Sequence, residues 1–209
     1  MICSNDLRLS LVYSRQRDFS TRDVDVEFPA EVNVAQQRAE QAGFAMSCEP
    51  EVGRLLMVLA AAVPLFGRVL EIGAGAGVGA AWLATGLESR PDVEAISVEV
   101  DADLVAPGRS ETWPARVKLV EVDILDVLAK LGQFDLVFAD AQSGEWQGLE
   151  RTVQALRPGG ILIVDDMHSP DDSDEHPDHA VRRARYDHQS LITAEFALGS
   201  GVMLATRKR

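Results

Sequence analysis

Basic residues are scarce in this chain, cysteine is almost absent, and no apolar run is long. Only 20 Lys and Arg stand against 33 Asp and Glu, a formal net charge of −13 over 209 residues. A nucleic-acid-binding surface neutralises phosphates with a basic stripe. Here the cations are scattered, apart from Arg182, Arg183 and Arg185 and the final Arg207, Lys208 and Arg209. DNA, RNA and anionic membranes are therefore not expected as partners, and a small neutral or cationic substrate is favoured. Cys3 and Cys48 are too few and too far apart for a disulfide framework. No stretch approaches the ~20 apolar residues of a membrane span. The opening segment is broken by Arg8, Arg15 and Arg17 and holds no run long enough for a signal peptide. The expectation is a reduced, cytoplasmic protein.

What is present is a rhythm. Leu7, Leu9 and Leu11 alternate like a strand, but residues 1–30 otherwise read as an extension lying on the core or on a second subunit. Helix formers dominate residues 31–43 and end on a glycine. A second helix is expected over 50–63, with Pro50 in its first turn and Leu55, Leu56, Leu59 and Ala60 at helical spacing. From residue 68 onward, short apolar runs alternate with amphipathic stretches. The runs are VLEIG (69–73), EAISVEV (94–100), VKLVEV (117–122), FDLVFAD (134–140) and ILIVDD (161–166). Near-continuous Val/Ile/Leu runs separated by helices imply a parallel sheet covered on both faces. Arg157-Pro158-Gly159-Gly160 reads as the turn before the fifth strand. An acidic segment and a helix over 179–189 follow. Two last runs, LITAEFAL (191–198) and GVMLATR (201–207), are separated too briefly for a crossover and read as an antiparallel hairpin. The expected fold is therefore α/β: a Rossmann-like doubly wound sheet of five parallel strands plus a C-terminal hairpin. Residues 1–43 would form an extension and helix, and residues 44–209 the main domain.

The chemistry begins at Glu71-Ile72-Gly73-Ala74-Gly75-Ala76-Gly77, where the first core strand turns into a helix. Glycines there permit a sharp turn and close approach of a ligand to the backbone. In doubly wound sheets ligands bind beyond the strand carboxyl ends, where the winding reverses. Such a loop suits NAD, FAD or S-adenosylmethionine (SAM), or is a purely structural turn. Counting from Gly73, the sixth position is Val78, which misses the dinucleotide fingerprint; counting from Gly75 gives the weaker Gly75, Gly77, Ala80. Glu71, two residues before the first glycine, can receive an ammonium group such as that of SAM, whereas a pyrophosphate gains nothing from it. Glu99, closing the second strand, can accept ribose hydroxyls in either cofactor. Asp101 reads as a helix cap. Asp123 is either a cap or part of an adenine-contacting loop.

With these motifs in order, the chain resembles the catechol/caffeoyl-CoA type of class I SAM-dependent O-methyltransferases, and most of all their small bacterial relatives. The resemblance runs over about residues 44–207. It is carried by VLEIGAGAGVGAAWL, SVEVD, VEVDILDVL, FDLVFADA and ALRPGGILIVDDM, preceded by MSCEPEVGRLL. It implies transfer of a methyl group from SAM to a hydroxyl oxygen of a small molecule, a homodimer, and a divalent cation such as Mg²⁺. Met46, Glu71, Gly73, Ala74 and Gly75 would then line the methionine end of SAM. Glu99 and Val100 would hold the ribose, and Asp123 and Ile124 would border the adenine. Asp140 would lie between cofactor and metal, with Asp165 and Asp166 completing the cation site. Asp166 stands where better-known members carry Asn. Independently of the family, Asp140 and Asp165 close sequential strands, so neighbouring strands would place both hard oxygen ligands in one crevice. Equally, Asp165 could anchor a loop and Asp166 cap a turn.

The chain also departs from the family. Metal-dependent members place a lysine three residues after the first ligand Asp, and bacterial relatives often two residues later; here these positions are Ser143 and Glu145. No lysine lies between Lys130 and Lys208. Deprotonation would fall to a carboxylate such as Glu145, to His168 or to the metal alone, and Asp140 joins Glu145 and His168 as a candidate catalytic residue. His168 could equally be a surface residue, and His176 and His179 read as solvated. Trp82 is expected in the core; Trp146 either walls the pocket or covers the sheet. Two other readings stay open: a SAM-binding module without catalysis, suggested by the missing lysine, and an NAD-dependent oxidoreductase.

Overall fold

Alternation of buried side chains along β1 (Arg68–Ile72) divides the protein into two layers. Val69 points to one face, Leu70 and Ile72 to the other. Each face has its own apolar cluster, so every central strand is buried on both sides, as the continuous Val/Ile/Leu runs require. A computed structural model of the chain describes residues 27–109, 113–141, 148–167, 183–184 and 186–209. The alternating leucines of the N-terminal extension, the acidic segment and most of the helix expected over 179–189 lie outside these residues.

Among the described residues the sheet has seven strands. They are β1, β2 (Glu94–Glu99), β3 (Val117–Glu121), β4 (Phe134–Ala139), β5 (Leu156–Val164), β6 (Leu191–Phe196) and β7 (Val202–Arg207), in spatial order β3-β2-β1-β4-β5-β7-β6. The first five are parallel, while β7 runs antiparallel between β5 and β6. The five parallel strands and the terminal hairpin are thus present, and the winding reverses at β1, between β2 and β4.

Helices connect and cover the strands. One face carries α1 (Ala30–Gln41), α2 (Pro50–Ala62) and α3 (Val78–Gly86). Val52, Leu56 and Ala60, four residues apart, turn one side of α2 inward. Nearly all of α3 is buried, including Trp82, which is in the core as expected. Further helices are α4 (Ala102–Arg109), α5 (Ile124–Leu131) and α6 (Leu149–Ala155). In α5, Ile124 and Leu128 enter the second cluster with Val137, Leu162 and Val164.

One boundary differs from the sequence reading. Residues 157–160 are not a turn preceding the fifth strand but belong to β5, which begins at Leu156. Pairing with β4 passes from Phe134↔Leu156 to Leu136↔Ile161, so the extra residues form an irregular bulge. Arg157 holds it by an ion pair of 2.6 Å to Asp135, whose carboxylate also accepts a hydrogen bond from the Arg68 backbone N–H. This tertiary anchor ties the Pro-Gly-Gly bulge to β4, on which Asp135 lies. Among the described residues, no helix is long and apolar enough to cross a membrane.

Helices α2 and α3 touch closely at Gly86, where a Cβ would collide with the Met57 carbonyl. Backbone cannot yield there as a flexible side chain would. Gly86→Ala is expected to cost about 1–3 kcal/mol of stability, read as a lower urea midpoint with an unchanged m-value.

Candidate active site

The strand carboxyl ends of β1, β4 and β5 lie side by side and set the site. Asp140 N–H donates to the Ile72 carbonyl, and Asp165 N–H to that of Ala139, which carries the register of the three strands into their loops. Gly73 follows β1 at φ +97°, a conformation that disfavours any L side chain; a Cβ there would strike the Asp140 carbonyl. The N–H groups of Gly73 and Ala74 both donate to the Val98 carbonyl at 2.9 Å, binding the loop to β2.

Two adjoining hollows occupy this edge. The first is narrow and is bordered by Phe44, Glu71, Gly73, Ala74 and Gly75. The second, about 240 Å³, is bordered by Glu49, Asp165, Asp166 and Ser200. Met46, Ser47, Cys48 and Asp140 line both, so Asp140 stands at the junction. Phe44 packs against Gly75, leaving only 2.6 Å between its Cε1 and a Cβ built there.

Glu71 is 1% exposed, with Oε2 lacking a hydrogen-bond partner among the described residues. Burial pushes its pKa up to about 8. The adjacent Ser97 hydroxyl eases this in part, without completing a hydrogen bond of normal geometry, and the Glu99 charge adds to it. A buried carboxylate with an open oxygen at a ligand loop is an unmet electrostatic demand. Glu99 differs: its Oε2 accepts from Gly75 N–H at 2.8 Å, and Oε1 from the N–H groups of Val100 and Asp101 at 2.8 and 3.0 Å. It is the strut that fixes the glycine loop against the end of β2.

On the second hollow, Asp165 is 3% exposed and its pKa is raised to about 6, chiefly by burial and further by the charges of Asp166 and Glu49. Its Oδ1 accepts from Asp166 N–H at 3.0 Å and Ser200 Oγ–H at 3.2 Å, which lower it in part. Asp166 is exposed and left-handed, at φ +54°. Burial also raises the Cys48 thiol, aided by Asp140, Asp165, Glu71 and Glu49.

The structure therefore brings Met46, Glu71, Gly73, Ala74, Gly75, Asp140, Asp165 and Asp166 to one edge. Asp123 and Ile124 line neither hollow: Asp123 caps α5 by accepting from Leu125 N–H at 2.9 Å, and Ile124 is buried in the core. Asp101 likewise accepts from the Asp103 and Leu104 N–H groups, as a cap should. Val100 is 66% exposed beside Glu99. Ser143, Glu145, Trp146, His168, His176 and His179 fall outside the described residues. Glu49, Cys48 and Ser200 were not anticipated from sequence. Ser200 sits between Gly199 and Gly201, a hairpin signal, but nothing in that pattern says where the hairpin docks.

The three carboxylates expected to hold a cation do not make a ligand set as arranged. Among the described residues no group of three or more His, Cys, Asp or Glu is positioned to hold a metal ion. Asp165 Oδ1 already receives two donors, and Asp166 is turned to the exposed rim.

Residues 70–167 match the family described as methyltransferase domain. A protein of Mycobacterium ulcerans named "Putative O-methyltransferase" is 31% identical over 195 residues, 84% of either chain. The chain belongs to this O-methyltransferase family. A relative of the same name from Mycolicibacterium smegmatis is 37% identical over 140 residues, and the match spans 64% of this chain and 65% of that protein. The chain thus spans slightly less than two thirds of the length of that relative. Among solved structures, the O-methyltransferase of Bacillus cereus in complex with S-adenosylhomocysteine (SAH) superposes with a TM-score of 0.75 at 22% identity, covering 89% of this chain and 94% of that one. TomG of Streptomyces achromogenes, an O-methyltransferase of tomaymycin synthesis in complex with SAM, gives 0.74 at 22% identity, covering 89% and 93%. At such identities these two structures establish that this family member shares their fold.

The raised Glu71 value has a defined sign. From about 4.5 to about 8 the folded protein keeps a proton that the unfolded chain has lost, so stability falls as pH rises through that window. Asp165 adds a fall that is complete near pH 6. Melting temperature is therefore expected to drop between pH 6 and 8 in the wild type. Glu71→Gln should flatten this drop and melt above the wild type at pH 8; an equal drop in both would contradict the assignment.

Proposed function

We propose that this protein transfers the methyl group of SAM to a hydroxyl oxygen of a small molecule. The observation that carries the reading is Glu71: a fully buried carboxylate, one oxygen unpartnered, on the wall of a glycine-lined hollow that opens past Asp140 into a second hollow. The residues present fit SAM. An ammonium group meets the demand of Glu71, the positive-φ glycines allow backbone contact, and Glu99 keeps lone pairs for ribose hydroxyls beside its three N–H donors. The SAM complexes of family-fold neighbours support this choice.

Bound SAM supplies a methyl group activated by its sulfonium. Glu71 orients the amino-acid end and Glu99 the ribose. Met46, Ser47 and Cys48 line both hollows, where cofactor and acceptor would meet. An acceptor hydroxyl there lies beside Asp140, which takes its proton as the oxygen forms the new O–C bond. The methyl–sulfur bond breaks with its electrons left on sulfur. Such a displacement depends mostly on alignment. His168 and Glu145 are the further candidate bases. No step is routed through a divalent cation. Residues 44–209 as the catalytic domain and a homodimer belong to the same proposal.

Calorimetric titration of SAM, SAH and NADH tests the reading. SAM and SAH are expected to bind with micromolar Kd, and Glu99→Ala to weaken both at least about tenfold, one lost charge-assisted contact. Binding of NADH without SAM would turn the loop into a dinucleotide site; SAM binding without turnover of any hydroxyl acceptor would leave a non-catalytic module.

A further inference from the structure

One carbonyl of the glycine loop is held by a side chain from a distant helix. Ala76 is 1% exposed, borders the first hollow, and stands between Gly75 at φ +50° and Gly77 at φ +87°. Its carbonyl accepts from Arg38 Nε–H of α1 at 2.8 Å, across 38 residues of chain. The Arg38 guanidinium lies 5.9 Å from the centre of the Trp113 ring. A Cβ built on Gly77 would come within 3.0 Å of Arg38 Nη2 and 3.4 Å of Trp113 Cζ2, so both side chains pack directly on this turn. Trp113 is fixed in its turn, since its Nε1–H donates to the Gly108 carbonyl of α4 at 2.8 Å. Helix α1, the end of α4 and the start of α3 therefore meet at the Ala76–Gly77 peptide.

The loop leaves the orientation of that peptide open. Glycine adopts left- and right-handed backbone at similar cost, and one lies on each side of Ala76. Rotating the peptide plane would carry the carbonyl off Arg38 and the Gly77 N–H off the Ala74 carbonyl, which it now meets at 2.7 Å. A buried carbonyl needs a partner whichever way it points, and Arg38 supplies one in a single orientation. We propose that Arg38 is a positioning residue for the cofactor. From the wall of a separate hollow of about 270 Å³, shared with Val34, Ala84 and Trp113, it locks the Ala76–Gly77 peptide and keeps the loop in the shape that receives SAM. The inference rests on the methyl-transfer reading and adds to it a residue that lines neither the cofactor hollow nor the second one.

Two variants of similar length separate the donor from the packing. Gln carries its amide nitrogen as many bonds from Cα as Arg carries Nε, whereas Met fills similar space without a donor. By calorimetry, Arg38→Met is expected to bind SAM and SAH roughly tenfold more weakly than the wild type, the scale of one lost charge-assisted hydrogen bond. Arg38→Gln should recover most of that loss, and Arg38→Leu, a second donor-free variant, should behave as Arg38→Met does. In the ligand-free protein, amide exchange at Gly77 should be about tenfold faster in Arg38→Met and close to wild type in Arg38→Gln. Arg54→Ala is the control for stability alone. Arg54 lies over Phe28 and Trp82, at 5.6 and 5.9 Å, in the same apolar layer. Its loss should lower the melting temperature and leave SAM affinity unchanged. Wild-type SAM affinity or unchanged Gly77 exchange in Arg38→Met, an equal loss in Arg38→Gln, or a comparable loss in Arg54→Ala would each overturn the proposal. Titration of the wild type alongside separates the outcomes: SAM bound equally by wild type and Arg38→Met sinks only this inference, whereas a wild type that binds no SAM sinks the methyl-transfer reading and this inference with it.

Discussion

The pairing of β1 with β2 on one side and β4 on the other is the constraint from which the site follows. Because β1 is where the winding reverses, the loops after it separate in opposite directions and leave a crevice at its carboxyl end. Gly73 makes that crevice possible at close range. Any side chain there would meet the backbone after β4, and the loop could no longer stay bonded to both neighbours. Everything else at the edge, including Asp140 and the Glu99 strut, is positioned by this contact.

Within that frame, the carboxylates play different parts because their surroundings differ. Glu99 is neutralised in effect by three backbone N–H groups and behaves as structure. Glu71 is more deeply buried but lacks such donors on Oε2, and stores an unfavourable desolvation that a cationic ligand group would relieve. Asp165 lies between these cases, half satisfied by Ser200 and by the N–H of Asp166. Marginal placement of several acids at one edge costs stability at neutral pH and in return makes the edge receptive to positive charge. The overall charge of −13 acts in the same direction at long range.

The C-terminal hairpin has a second role besides closing the sheet. Its turn brings Ser200 against Glu49 and Asp165, and Gly201 accepts from Met167 N–H at 3.0 Å. Members of one fold can vary such a wall without disturbing the cofactor loop, which is how a common scaffold takes different acceptors.

Much of this was legible from residues alone. Strand runs, the glycine loop, Glu71 and the paired acids after β4 and β5 could be read because parallel strands buried on both faces leave long apolar signatures, and because loops at their ends need particular residue types. Chain order also located Asp140 and Asp165 on one crevice, since sequential strands became neighbours. Tertiary structure alone decided the rest. It drew residues 157–160 into β5 beside the Arg157–Asp135 ion pair, and brought Ser200 and Glu49 together on the second hollow. Those outcomes depend on contacts between segments distant in sequence, such as the 151 residues separating Glu49 from Ser200. Local pattern carries no record of such a meeting; only the packed sheet brings its ends together.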